Sequence, residues 1–172
     1  MRVRKAQAED AGAIAQVNVD TWRSAFCGLI SDAFLAALSY DDREKHFKDF
    51  IGQTDAISFA CVAEDDEGNV LGFAMGGKER EGIQPYAGEI YALYVLQRWH
   101  NRGIGRMLVK AAASQLFQSG ISSLMLWTLA AGSACGFYEK LGGELISTKV
   151  FTIAEEEMLF AAYGWDNIEA VL

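Results

Sequence analysis

The chain has 172 residues, the length of one domain with a single hydrophobic core. Hydrophobic residues make up 51% of it, charged residues 22%, and Pro85 is its one proline, a globular composition that excludes a disordered tail or a proline-rich linker. Its formal net charge of −8 repels phosphate backbones and argues against a general nucleic-acid binder.

Residues 2–5 read as a short strand with Val3 inward. Glu9 and Asp10 open a helix, where acids suit the positive dipole end, and Ile14, Val17, Thr21 and Trp22 share one face. Ser31 and Asp32 cap a second, short helix carrying Phe34, Leu35 and Leu38. Asp41 and Asp42 start a third, with Phe47, Phe50 and Ile51 on one side; Asp42, His46 and Asp49 on the other read as a solvated face rather than a metal site. The period then changes. Residues 57–63 and 70–76 pair as strands around the turn Asp65-Asp66-Glu67-Gly68-Asn69, and residues 82–87 form a loop.

The stretch Glu89-Ile90-Tyr91-Ala92-Leu93-Tyr94-Val95-Leu96 is apolar on both faces and belongs at the centre of a sheet. After a polar loop, residues 104–117 read as a helix, 121–127 as a strand and 133–141 as a helix stopped by Gly142-Gly143. Residues 145–153 and 158–163 close the chain as a hairpin around Glu155-Glu156-Glu157. One strand–helix–strand crossover amid hairpins makes this a single mixed α/β (α+β) domain over residues 1–172.

No apolar run reaches the roughly 20 residues of a membrane span. The basic start Met1-Arg2-Val3-Arg4-Lys5 lacks the apolar stretch of a signal peptide, so a cytoplasmic location and no membrane partner are expected. Cys27, Cys61 and Cys135 form no Cys-x-x-Cys or Cys/His cluster; they read as reduced thiols, and no metal is expected.

Charge is unevenly placed. Residues 90–138 contain no Asp or Glu but do contain Arg98, Arg102, Arg106 and Lys110; the other 123 residues hold 11 basic against 23 acidic side chains. In that window the strand is followed by Arg98-Trp99-His100-Asn101-Arg102-Gly103-Ile104-Gly105-Arg106 and then the helix. The first amides of a helix have no internal partners, point outward at the positive dipole end, and can be approached closely where glycine omits a Cβ. Together with arginines they form a cradle for a pyrophosphate. The dinucleotide Gly-x-Gly-x-x-Gly fails because Leu108 stands at the third glycine, and the P-loop fails for want of Gly-Lys-Ser/Thr.

His100-Asn101-Arg102-Gly103-Ile104-Gly105 after a strand resembles the Gln/Arg-x-x-Gly-x-Gly/Ala signature of the GNAT superfamily of N-acetyltransferases. Gly136-Phe137-Tyr138-Glu139-Lys140-Leu141-Gly142-Gly143 resembles its Phe-Tyr-x-x-x-Gly-Phe segment. His100 stands where Gln or Arg is usual, Asn101 where Gly is common, Ala131 where Asn is usual, and Gly143 where Phe is usual; the Ala131 change puts one hydrogen bond to the pantetheine arm in doubt. The resemblance spans nearly the whole chain. It implies a splayed central sheet of about seven strands flanked by four to five helices, and acetyl-CoA as co-substrate. It also implies cofactor contacts from Leu93, Tyr94, Val95, His100, Asn101, Arg102, Gly103, Ile104, Gly105, Arg106, Ala131 and Tyr138.

The expected reaction is direct acetyl transfer to a primary amine in a ternary complex. An alkylammonium of pKa about 10.4 must lose a proton, and Glu89 is the candidate base, directly or through water, with Glu79 and Glu81 as alternatives. Tyr138 is the candidate acid for the thiolate, and a main-chain amide near Tyr94 or Val95 the oxyanion donor. The acceptor is a small-molecule or peptide amine, cationic if Glu64-Asp65-Asp66-Glu67 or Glu155-Glu156-Glu157 attract it; Trp22, Phe26, Trp99 and Trp165 are candidates to line its slot. A non-catalytic acyl-CoA sensor is the alternative, and late aromatics allow a homodimer.

Overall fold

A computed structural model describes residues 1–53 and 55–172. Strand β1 (Arg2–Lys5) leads into helices α1 (Ala11–Ala25), α2 (Asp32–Ala37) and α3 (Tyr40–Gly52), then strands β2 (Phe59–Glu64), β3 (Val70–Lys78) and β4 (Gly88–Val95). Helix α4 (Ile104–Gln118) crosses to β5 (Leu124–Leu129), followed by α5 (Ala134–Lys140) and the hairpin β6 (Glu144–Ile153) and β7 (Glu156–Trp165). The predicted elements all form, with ends moved by a few residues. Ser39 rather than an aspartate caps α3, accepting from the Asp42 amide. Ser31 caps α2 through the Phe34 amide, as its position predicts.

The seven strands run in the order β1-β2-β3-β4-β5-β7-β6, all pairs antiparallel except β4 with β5. That parallel pair is the predicted crossover, with α4 as the connection. One side of the sheet is covered by α4, whose Ile104, Leu108, Ala112 and Leu116 pack on Phe59, Leu71 and Ile90. On the other side α1 and α3 bring Ile14, Val17 and Phe47 onto Val62 and Phe73. Among the described residues no helix is long and apolar enough to cross a membrane, and no group of three His, Cys, Asp or Glu side chains is placed to hold a metal ion.

Three carboxylates of the acidic run at the β2–β3 turn, Glu64, Asp65 and Asp66, have partners within the chain. Glu64 is buried and accepts from Arg2 Nε and Arg4 Nε, each at 2.7 Å. Asp65 caps its own turn through the amides of Glu67 and Asn69, and Asp66 pairs with the N-terminal ammonium at 2.8 Å. Arg4 also grips Asp10 at 2.6 and 2.8 Å. Hydrogen bonds from Arg2 and Arg4 hold the Glu64 carboxyl below its ordinary value, and Arg4 does the same to Asp10. A depressed folded-state pKa gives stability that is present above the unfolded value, about 4, and is lost as pH falls through the folded value. Arg4→Met is therefore expected to lower the melting temperature at pH 7, with the gap from wild type closing as pH falls below the ordinary carboxylate range, as followed by thermal unfolding.

Candidate active site

Strands β4 and β5 pair only at Gly88 with Leu124, Glu89 with Met125 and Ile90 with Leu126. Beyond that point β4 stays with β3, β5 stays with β7, and a wedge opens between them. The register shift opposite Met75 and Gly76 falls where the separation begins. Tyr91, Ala92, Leu93 and Tyr94 are consequently half-buried, although the sequence reads as a strand covered on both faces. Leu96 donates its amide to the Leu71 carbonyl at 3.0 Å. Antiparallel alternation then turns the N–H groups of Leu93 and Val95 away from β3 and into the wedge. These two amides, not that of Tyr94, have the orientation expected of an oxyanion donor.

The glycine loop closes the wide end of the wedge. Asn101 has φ 60° and Gly103 φ 81°, so the chain turns twice through left-handed backbone before α4 begins at Ile104. Asparagine tolerates that conformation better than most residues, which explains how it occupies a position where the resembling signature carries glycine. Among the described residues, the amides of Asn101, Arg102, Gly103, Ile104, Gly105 and Arg106 donate to no acceptor; the first helical bond runs from Met107 to Gly103. Six successive N–H groups without a partner stand at the positive end of a 15-residue helix. The residues present thus suit a diphosphate group.

The side chains of the loop do more local work. His100 Nε2 lies 2.8 Å from the Val95 carbonyl and, since a carbonyl only accepts, donates to it. This ties the loop to the strand end. Arg102 lies over the Trp99 ring at 4.7 Å, while Arg106 is exposed at the helix start. Gly105 serves packing: a Cβ there would stand 3.0 Å from Phe137 Cζ, so its absence lets the Phe137 ring of α5 lie close against the first turn of α4. Ala131 is exposed just beyond β5.

Docking through Phe137 fixes its neighbour. Tyr138 is buried, with its ring 5.0 Å from Phe137, 6.0 Å from Tyr163 and 6.4 Å from Trp165. Its hydroxyl makes no hydrogen bond to the described residues, and burial, with smaller contributions from Tyr94 and Cys135, pushes its pKa well above the ordinary phenol value. Across the wedge, Trp22 Nε1 donates to the Tyr94 hydroxyl at 3.1 Å. Cys135 Sγ is 3.6 Å from the carbonyls of Leu129 and Ala130.

Glu89 is not at a solvated strand mouth. It is 2% exposed at the narrow end of the wedge, with Oε1 accepting from Arg80 Nη2 at 2.6 Å and Oε2 from Arg80 Nε at 3.0 Å. The Arg80 guanidinium stacks 3.8 Å over Tyr91. Sequence reasoning missed Arg80; the β3–β4 register, which sets Glu89 against Gly77, is what brings it round. Glu79 spends its carboxylate on the amides of Glu81, Gly82 and Ile83, and Glu81 pairs with Lys149. Of the four aromatics considered for an acceptor slot, Trp165 is core, bonded to the Leu141 carbonyl, and Trp99 is held under Arg102. Trp22 and Phe26 stack at 4.6 Å beside Leu129 and Phe160, next to the wedge.

Comparison with known proteins agrees with this geometry. Residues 23–143 match the family model described as "Acetyltransferase (GNAT) family". The chain is 32% identical over 169 residues to the uncharacterized N-acetyltransferase YuaI of Bacillus subtilis, covering 98% of this chain and 95% of that one. Among solved structures, it resembles the ribosomal-protein-alanine N-acetyltransferase of Brucella melitensis, with a TM-score of 0.74, 19% identity and coverage of 96% and 99%. It also resembles the PaiA N-acetyltransferase of Thermoplasma acidophilum in complex with coenzyme A, with a TM-score of 0.70, 16% identity and coverage of 93% and 96%. With a splayed seven-stranded sheet, a free-amide loop at the opening and a family match over most of its length, the chain belongs to the acetyltransferase (GNAT) family, the enzymes that carry an acetyl group from acetyl-CoA to an amine.

Proposed function

We propose that this protein acetylates a primary amine by direct transfer from acetyl-CoA while both substrates are bound. The observation that carries this reading is the run of six unpartnered amides, 101 to 106, at the mouth of a wedge whose wall presents two more, Leu93 and Val95. The loop amides and Arg106 would hold the diphosphate, and Leu93 and Val95 the amide-bearing arm and the thioester carbonyl. Acetyl-CoA supplies an activated acyl group with a thiol leaving group of pKa about 8.5.

In the step itself the amine nitrogen forms a bond to the carbonyl carbon, the carbon–sulfur bond breaks, and the departing sulfur needs a proton or a hydrogen bond. Tyr138 provides it. Its raised pKa keeps its proton throughout the physiological range, and its hydroxyl has no competing partner among the described residues. The amine must shed a proton beforehand. Glu89 lies four residues ahead of Leu93 and retains acceptor capacity on Oε1 beyond its three bonds from Arg80, so it takes that proton through water rather than directly. Cys135 faces carbonyl oxygens and has no part as a nucleophile.

Calorimetry with coenzyme A, followed by thiol release from acetyl-CoA over an amine panel, tests the reading. Expected are binding, release that depends on an amine, and full activity in Cys135→Ser. Binding without amine-dependent release would make the protein a sensor; absence of binding would remove the assignment.

A further inference from the structure

On the α1 side of the sheet, beside the wedge, a cation stands without an anion. Arg43 of α3 is half-buried, and its guanidinium makes no hydrogen bond or salt bridge among the described residues; it lies 5.6 Å over the Trp22 ring. The Nε1 edge of the same indole donates to the Tyr94 hydroxyl at 3.1 Å, and that hydroxyl's own proton goes to no acceptor among the described residues. A guanidinium and an unspent O–H donor thus meet on one ring. The charge reaches the phenol: burial raises the Tyr94 pKa, while the bond from Trp22 and the charge of Arg43 pull it back. Asn18, one turn before Trp22 on the same helix face, and Thr21 carry buried oxygens, Oδ1 and Oγ1, that have no partner among the described residues. Buried polar atoms left open are costly until a ligand or water completes them, so this part of α1 suits a polar ligand.

Position and charge narrow what that ligand is. Tyr94 stands between Leu93 and Val95, whose amides face the wedge, and Trp22 reaches over to pack with Leu129 and Phe160 of the other strands. Tyr138 lies on the far side of the sheet with Tyr163 and Trp165, which leaves the α1 side for the acceptor. Arg23, next after Trp22, spends its guanidinium on the carbonyls of Leu35, Ala36 and Leu38, so Arg43 is the cation left to bind there. One guanidinium beside one hydroxyl matches a single negative charge, and its planar fork matches a carboxylate. We infer that the acceptor amine also carries a carboxylate, held by the Arg43 guanidinium and the Tyr94 hydroxyl against the Trp22 ring. This rests on the acetyl-transfer reading above and narrows its substrate class to amino acids and other amino carboxylates. Polyamines and simple alkylamines leave Arg43 unpaired.

Matched amines that differ only in the carboxylate test it: alanine against ethylamine, phenylalanine against phenethylamine, and lysine against cadaverine. Each is assayed by acetyl transfer and by calorimetric titration into the full chain with coenzyme A bound. In the pair that contains the best substrate, kcat/KM for the amino acid should exceed that for its decarboxylated partner at least about tenfold. Arg43→Met keeps an apolar stem over Trp22. It should raise KM for that amino acid about 30-fold and bring the ratio within the pair near one, with the Kd for coenzyme A within about twofold of wild type. Arg43→Gln repeats the comparison if Arg43→Met does not fold. No preference for the carboxylate, or a preference that survives in the folded variant, would overturn the carboxylate site and leave the transfer reading standing. Acetylation of none of these amines by the wild-type protein would overturn both.

Discussion

Tyr138→Phe is expected to lower kcat by about 100-fold, near 3 kcal/mol of transition-state stabilisation, with a melting temperature within about 2 °C of wild type. The two halves of that result come from one observation. The hydroxyl makes no hydrogen bond among the described residues, so folding loses nothing with it, whereas the ring, packed against Phe137, Tyr163 and Trp165, stays in the variant. A merely structural tyrosine would show the opposite: loss of stability or no change at all. The pH profile adds a second reading. Because burial raises the pKa, the neutral phenol persists above the usual value of about 10, so wild-type kcat should not fall between about pH 8 and 10 on account of Tyr138. A kcat unchanged in Tyr138→Phe would take the acid role away from this residue.

Gly103→Val is the second large effect, and it should appear in binding rather than in chemistry. Gly103 has φ 81°, and a β-branched residue held there costs about 2 kcal/mol, enough to drive the backbone toward another conformation. The loop is exposed and a Cβ at this position meets nothing, so the fold tolerates the change. The amides from 101 to 106 no longer converge, and the Kd for coenzyme A measured by calorimetry should rise about 30-fold. Gly105→Ala makes the control: its Cβ presses on Phe137, the neighbour of Tyr138, so it should lower kcat more than it weakens coenzyme A binding. Equal Kd values for wild type and Gly103→Val would mean that the diphosphate is held elsewhere.

What could be read from the sequence was whatever depends on neighbours along the chain. The order of elements, the Ser31 cap, the Asp65 turn and the free amides after Gly103 all follow from local spacing and backbone freedom. The opening of β4 from β5 does not, because both strands are equally apolar along their lengths and only the shift opposite Gly76 separates them. Glu89 shows the same limit: its partner Arg80 is nine residues away and is brought to it by the β3–β4 register, which local spacing does not announce. Trp22 and Tyr94, 72 positions apart, meet only because α1 lies across the sheet. Asn101 was legible as a departure from a signature, but its compatibility with that departure became evident only from its backbone angles.

The β4–β5 junction also divides the molecule mechanically. On one side are β1 to β4 with α1 and α3; on the other, β5, β7 and β6 with α5; the sheet joins them through three residue pairs, and α4 and the packing of Trp22 and Phe26 on Leu129 and Phe160 bridge the rest. Beyond Ile90 and Leu126 the cross-strand bonding of each leaf is complete without the other, so the gap between β4 and β5 is edged by two rows of backbone groups that the sheet itself does not pair.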